Sequence, residues 1–215
     1  MRFIQDVIHL LGRQTRLTMR MPVFLVMSIV QPIVWMVLFS QLFSKAMSGF
    51  SAAGIGNAGY VQFLAPGIAI MSSLFGSGYA GMGLLNDIDR GVMDRMLATP
   101  VTRAAIILAR IIHTGLTAMI QSTMILTVAM ILGARPAGTR VVSFVTVLLA
   151  AGVMGAGMAG ISNCMAILTR KQEAMFAVMN FTMLPMIYLS STIMAKALMP
   201  TWIRNVCRFN PVTGR

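Results

Sequence analysis

The chain has 215 residues, of which 57% are hydrophobic and 10% are charged, and its mean hydropathy is +0.81. This composition leaves too little polar surface to cover a soluble core of this size, so we expect a membrane protein. The net charge of +12 could suggest nucleic acid, but the 17 basic residues are scattered in short loops, without a basic run or interleaved aromatic residues. We therefore interpret them as topology signals for a lipid bilayer and expect no nucleic-acid partner.

Residues Met1–Met21 predict one amphipathic helix. Its charged and polar side chains recur at steps of three and four: Arg2, Asp6, His9, Arg13, Arg16 and Arg20. Apolar side chains between Phe3 and Met21 fill the other side of the same helix. A helix of this kind lies in the membrane interface with its basic face, including Arg13, Arg16 and Arg20, toward anionic headgroups.

Five apolar runs follow, and each reaches the roughly 20 residues needed to cross a bilayer as a helix. They are Pro22–Phe43, Tyr60–Leu85, Ala104–Leu132, Val141–Leu168 and Ala174–Met194. Helices are expected because hydrocarbon offers no partner to unpaired backbone groups, and these runs lack the alternation of a barrel strand. The predicted fold is an all-α polytopic membrane protein, with one transmembrane domain over residues 1–215. Near the start of the third run, Arg110 could extend to the interface.

Lysine and arginine are distributed unevenly between the two sets of loops. Nine of them lie in the N-terminal helix, the segment 86–103 and the loop 169–173, whereas three lie in the two opposite loops. The positive-inside rule therefore places the N-terminus and the segment 86–103 in the cytoplasm. Five crossings then leave residues 195–215 outside, where further basic residues weaken the rule.

The segment 86–103 reads N-D-I-D-R-G-V-M-D-R-M-L-A-T-P-V-T-R and holds five charged side chains within nine residues. A charge at the bilayer centre costs on the order of 2.5–3.5 kcal/mol, so this segment must lie in water or against another protein. Gly91 can end the preceding helix, and apolar residues at helical spacing then predict a short helix that Pro100 stops. Two interpretations remain open: a solvated loop that anchors two helix ends, or a docking element for a soluble partner.

The order acidic–x–acidic–basic–Gly, a short helix and then Leu-Ala-Thr-Pro-Val-Thr-Arg, between the second and third runs, resembles the permease subunits of type-2 ATP-binding-cassette exporters. The similarity covers nearly the whole chain and is strongest to the drug-resistance branch. In that family this segment is the coupling helix that contacts the nucleotide-binding subunit. The resemblance implies these ATPase-coupling residues: Asp87, Asp89, Arg90, Gly91, Asp94, Arg95, Met96, Leu97 and Pro100. It also implies that the N-terminal helix is an elbow helix that helps to cradle the ATPase.

The resemblance further implies a homodimer or heterodimer of permease subunits, clamped by two cytoplasmic ATPases that bind ATP and Mg. This chain itself would carry no cofactor. Such an assembly exports an amphipathic drug, antibiotic or lipid across the plasma (inner) membrane of a prokaryote. The family pattern has six spans, with an external re-entrant segment before the last, which residues 195–215 resemble. Because no sixth run follows, we expect a truncated or shortened chain.

Two glycine-rich stretches, Gly76–Gly81 and Gly155–Gly160, match the dinucleotide-binding pattern, but both lie inside apolar runs where no strand precedes them. We expect close helix packing instead, with Gly152, Ala156 and Gly160 as one ridge of small residues. The chain contains no Gly-Lys pair, so it cannot hydrolyse ATP through a phosphate-binding loop. With two histidines and no clustered carboxylates or thiols, we expect neither a metal site nor an enzyme.

Several polar residues enter the predicted spans: Gln31, Gln121, Ser122, Thr123, Asn163, Asn180 and Thr182. Most should form hydrogen bonds between helices, and a minority could line a substrate path, for which the candidates are Gln31, Gln121, Asn163 and Asn180. All five acidic residues fall on the predicted cytoplasmic side, which disfavours a proton-coupled carrier. Two alternatives stay open: an ion-gradient-driven multidrug transporter, and a membrane assembly factor that transports nothing.

Overall fold

The computed structural model describes residues 2–48, 57–132 and 140–188, and the regular structure in these ranges is entirely helical. The helices are α1 (Arg2–Met19), α2 (Pro22–Ser48), α3 (Asn57–Gly78), α4 (Ala80–Asp89), α5 (Val92–Leu97), α6 (Arg103–Ile131), α7 (Arg140–Thr169) and α8 (Gln172–Tyr188). The predicted all-α class is confirmed. The predicted external segment, residues 195–215, lies outside the described ranges.

Within these ranges, three stretches are long and apolar enough to cross a membrane: Leu64–Asp89, Arg103–Ile131 and Val142–Thr169. They coincide with the second, third and fourth predicted runs. The first predicted run lies within α2, and the fifth begins within α8. The chain is therefore a multi-pass membrane protein, while the number of five crossings stays a prediction.

Small residues bring α6 and α7 together as antiparallel neighbours. A Cβ atom placed on Gly115 would lie 3.2 Å from the carbonyl oxygen of Gly152 and 3.3 Å from the Cβ of Ala156. Further along the same pair, Gly160 faces Ile111. The predicted ridge of small residues on α7 is thus a packing surface, and it lets two helices approach more closely than larger side chains would allow.

The second glycine-rich stretch lies where α3, α6 and α7 meet. A Cβ atom on Gly155 would lie 2.9 Å from the Cβ of Ala118 on α6 and from the hydroxyl oxygens of Ser73 and Ser77 on α3. Ser73 also donates a hydrogen bond to the carbonyl oxygen of Ala151, at 2.7 Å. Gly155 therefore serves helix packing, as the sequence predicted.

The second predicted span is interrupted at Tyr79, between α3 and α4. The hydroxyl of Ser162 on α7 donates a hydrogen bond to the carbonyl oxygen of Gly78. The same hydroxyl accepts a hydrogen bond from the N–H of Gly81, at 3.0 Å. Next to the break, Met82 donates its N–H to the carbonyl oxygen of Tyr79, at 3.0 Å, in place of the usual bond one residue further back. One side chain therefore satisfies two backbone groups that the interruption would leave unpaired inside a membrane span.

Methionine fills much of the core near this break. Met175, Met179 and Met183 of α8 are all at most 3% exposed, and they pack with Leu84 and Leu85 of α4. Unbranched, flexible side chains suit the irregular space beside an interrupted helix. These three methionines therefore attach α8 to the segment that leads into α5.

Candidate functional site: the charged segment and its supports

A left-handed glycine joins α4 to α5. Gly91 has φ +65°, and its N–H donates to the carbonyl oxygen of Ile88 at 2.9 Å, while the N–H of Arg90 donates to Asn86 at 3.2 Å. Such a residue ends a helix because only glycine adopts this conformation without steric cost. The predictions that Gly91 ends one helix and that a short second helix precedes Pro100 are both confirmed by α4 and α5.

Asp87, at the end of α4, points into the protein. Its carboxylate forms an ion pair with Arg110 of α6, and these side chains are only 15% and 7% exposed. Arg110 therefore has a partner for its charge within the protein, on α4. A buried ion pair is costly to break from one side, since the remaining charge would be left without compensation.

Arg13 of α1 approaches the same carboxylate from outside. Its Nη2 lies 3.6 Å from Oδ1 of Asp87, and its Nη1 lies 3.7 Å from the sulfur of Met96 on α5. One guanidinium thus contacts α4 and α5 together. Because Asp87 also pairs with Arg110, four helices meet around this charge cluster.

The position of Arg13 is fixed by the way α1 packs on α6. Val7 is buried against Ala105 and Ala109 near the start of α6. Near the C-terminal end of α1, Oγ1 of Thr18 lies 3.3 Å from Nε2 of His113 on α6. An apolar contact before Arg13 and a polar contact after it therefore hold α1 against α6.

A second support lies on the other side of α4. Gln172, the first residue of α8, donates from Nε2 to Oδ2 of Asp89 at 3.1 Å. The chain enters α8 through Arg170, whose φ of +49° is unusual for a residue with a side chain. The start of α8 thereby contacts Asp89 in the charged segment.

The predicted coupling residues divide into two groups by their surroundings. Asp87 and Met96 contact other helices, Asp89 contacts Gln172 at the edge, and Gly91 forms the turn. The remaining five are exposed: Arg90, Asp94, Arg95, Leu97 and Pro100. Of the predicted elbow residues, Arg13 joins the cluster, whereas Arg16 and Arg20 are exposed on α1. We call the five exposed coupling residues the outer face of the charged segment: Arg90, Asp94, Arg95, Leu97 and Pro100.

Arg110 and Gln172 are members of this site that sequence reasoning did not assign to it. An arginine inside an apolar run is itself a signal, because such a charge requires a partner. Nothing in the sequence around Gln172 distinguishes it from an ordinary polar residue at a helix start. Within the described residues, no three His, Cys, Asp or Glu side chains come together as a metal site.

The four candidates for a substrate path lie on four different helices. Gln121 donates to the carbonyl oxygen of Ser28 on α2, and Asn180 accepts from the hydroxyl of Tyr79 at 3.2 Å, so these two join helices. Asn163 donates back to Ala159 within α7, at 2.7 Å, while its Oδ1 is buried without a partner among the described residues. Gln31 is exposed on α2.

Comparison with known proteins gives matches over almost the full chain. The family described as ABC-2 type transporter matches residues 5–213. A transport permease, ycf38 of Cyanophora paradoxa, is 28% identical over 98% of this chain and 71% of its own length; ycf38 of Pyropia yezoensis is 27% identical with the same coverage. The daunorubicin resistance ABC transporter permease protein DrrB1 of Streptomyces coeruleorubidus is 23% identical over 89% of this chain and 65% of its own length. No solved structure matches.

Proposed function

This chain belongs to the ABC-2 type transporter family, and from that premise we propose that it is the membrane subunit of an ATP-driven exporter. The ATPase is a separate cytoplasmic protein that binds ATP and Mg, and a second permease subunit completes the transport path. The exported substrate is an amphipathic drug, antibiotic or lipid, a class suggested by the daunorubicin resistance permease among its relatives. The complex lies in the plasma (inner) membrane of a prokaryote, with the N-terminus in the cytoplasm.

The observation that carries this proposal is the contrast between the two sides of α5. Its inner side is held by Arg13 through Met96, and the helix before it is held by Arg110 and Gln172. Its outer face presents charges of both signs beside Leu97, which is 37% exposed. A rigidly supported element with a mixed charged and apolar surface suits a protein partner, because charge complementarity gives orientation and a central apolar residue gives affinity.

The supports also indicate how a push on α5 would reach the membrane. Closure of the ATPases would press on the outer face and move α5 together with α4, to which it is joined by one turn. The Asp87–Arg110 ion pair would carry this movement to α6, and Arg13 would carry it to α1. The interruption at Tyr79 would let α4 tilt relative to α3, which would change access to the path between the helices.

Affinity capture of the tagged chain from its native membrane, with partners identified by mass spectrometry, tests this proposal. We expect a cassette ATPase to be captured by the parent chain and lost from the double variant Asp94→Lys/Leu97→Asp, because both changes fall on the outer face. Glu173→Lys is the matched control, since it reverses an exposed acid outside that face and should retain the ATPase. Equal capture by the double variant, at an unchanged elution volume on size exclusion, would remove the docking role.

Transport by vesicles that contain the chain and its captured ATPase separates the remaining alternatives. ATP-dependent efflux that persists when an uncoupler dissipates the ion gradient supports the exporter. Efflux abolished by the uncoupler at constant ATP would identify a gradient-driven multidrug transporter. No movement of any amphipathic probe would instead identify a membrane assembly factor.

A further inference from the structure

A recess of about 400 Å³ lies on α1, on the side of the helix that faces away from α6. Gly12 forms its floor, and no atom lies within 4 Å of the point where a Cβ would stand. His9, Arg13, Arg16 and Arg20 surround this floor. Since glycine leaves open space between long basic side chains, the recess can admit a small group at the level of the helix backbone.

The charged side chains that line the recess are basic. Arg16 and Arg20 are exposed, and in the part of the chain that the structure describes neither forms an ion pair with an acidic residue. They lie one helical turn apart and on the same side as Gly12. Guanidinium groups bind phosphate oxygens through paired hydrogen bonds, so two of them above an open floor match a phosphate group.

Apolar side chains border the same recess. Ile8 and Leu17 line it, and they are 61% and 38% exposed. An occupant that satisfied the whole surface would therefore combine an anionic head with an apolar tail. Membrane lipids have this chemistry, and they surround the membrane-embedded part of a multi-pass protein.

We propose that the recess over Gly12 binds the phosphate of an anionic membrane lipid. Arg16 and Arg20 hold the phosphate oxygens, and the beginning of the acyl region lies against Ile8 and Leu17. The site requires only that the chain lies in a bilayer, and it is independent of any ATPase partner. A general attraction of a basic helix to a charged surface differs from this proposal, because the site has a defined floor and two defined ligands.

Arg13 connects this site to the charged segment. The same guanidinium lines the recess and lies 3.6 Å from Asp87 and 3.7 Å from the sulfur of Met96. A bound phosphate competes with Asp87 for Arg13, while Asp87 keeps Arg110 as its partner. Lipid occupancy therefore loosens the contact between α1 and α5 and increases the mobility of α5.

Native mass spectrometry of the detergent-purified full chain tests the site directly, with phosphatidylglycerol and phosphatidylcholine as probes. We expect the parent chain to retain one phosphatidylglycerol more tightly than any phosphatidylcholine. Arg16→Gln/Arg20→Gln should weaken this binding by about tenfold or more, since each basic residue contributes severalfold to the affinity for an anionic lipid. The control Arg103→Gln/Lys171→Gln removes the same charge from exposed positions outside the recess and should bind like the parent.

Gly12→Leu tests the contribution of the shape of the recess separately from that of its basic side chains. This change keeps every basic residue, fits a helix better than glycine and fills the floor, so the chain should fold and lose the lipid. Binding by Gly12→Leu equal to that of the parent, or equal losses in the control and in Arg16→Gln/Arg20→Gln, would overturn the proposal. Displacement of the lipid by millimolar inorganic phosphate would also overturn it, because the ligand would then be a soluble anion.

Amide exchange of the α5 backbone in nanodiscs supplies the second readout. We expect phosphatidylglycerol to accelerate exchange in residues 92–97 of the parent severalfold and to leave exchange in Gly12→Leu unchanged. An identical acceleration in both chains would show that the lipid acts elsewhere, against the proposed link through Arg13.

Discussion

Arg110 and Asp87 form a buried ion pair that joins α6 to the end of α4. Arg110 is 7% exposed and Asp87 is 15% exposed, and Arg13 lies near Oδ1, the second oxygen of the carboxylate. The pair holds the helix that leads into α5 against the third apolar run. Its loss should therefore change both the stability of the bundle and the position of the charged segment.

Removing one partner of this pair should destabilise the protein. Arg110→Met leaves Asp87 with Arg13 as its partner, at 3.6 Å. We expect the free energy of unfolding to fall by about 3 kcal/mol, as for other buried ion pairs that lose one partner. In a chain of this size that loss lowers the melting temperature by roughly 6–12 °C. Fluorescence-detected size exclusion after heating measures the shift.

The double variant Asp87→Asn/Arg110→Met provides the control for that prediction. It removes both charges, so it should be less destabilised than the sum of the two single changes. Strictly additive losses would mean that the two side chains do not stabilise one another.

The break between α3 and α4 predicts a strong effect at Ser162. Ser162→Ala removes the partner of the Gly78 carbonyl and of the Gly81 N–H, inside a span where water is scarce. We expect a cost of about 1–3 kcal/mol, the penalty for leaving buried polar groups unpaired. The change in melting temperature gives its magnitude, and amide exchange at Gly81 gives its location.

Ser122→Ala is the matched comparison for Ser162→Ala. Ser122 is equally buried, but its hydroxyl lies 3.5 Å from the carbonyl oxygen of Ala69, inside an unbroken helix pair. We expect its removal to cost much less, because no interrupted backbone depends on it. A loss equal to that of Ser162→Ala would contradict the role assigned to the break.

Local patterns in the sequence predicted a large part of this architecture. The α1 helix, the apolar runs and the turn at Gly91 depend on neighbours within a few positions, so periodicity and residue type are sufficient to find them. The packing role of Gly155 also followed from composition, because small residues in apolar runs have few other uses.

Relations over long distances could not be predicted in the same way. The Asp87–Arg110 pair joins residues 23 positions apart, and Gln172 reaches Asp89 over 83 positions. These contacts depend on which helices become neighbours, and periodicity does not determine that. The interruption at Tyr79 was also missed, because glycines in an apolar run indicate close packing and a helix break equally well.

The turn before α5 should tolerate few replacements. Gly91→Ala places a side chain at φ +65°, which costs about 1–2 kcal/mol, whereas Gly91→Asn should cost less because asparagine adopts this conformation more readily. The strain would be relieved by fraying of α5, so we expect faster amide exchange in residues 92–97 of Gly91→Ala. Equal protection in both variants would indicate that the turn does not control α5.

Two glycines on α7 provide an internal comparison of packing. A Cβ on Gly155 would lie 2.9 Å from three atoms on α3 and α6, whereas a Cβ on Gly157 would have no atom within 4 Å. Gly155→Ala should therefore push helices apart and destabilise the bundle by about 1–3 kcal/mol. Gly157→Ala should be neutral or slightly stabilising, because alanine favours the helix and meets nothing. Thermal unfolding of the two variants, which differ from the parent by the same single methyl group, measures how much of the stability depends on close approach at one position. Equal effects of the two changes would show that close approach at the α3–α6–α7 junction does not require glycine at position 155.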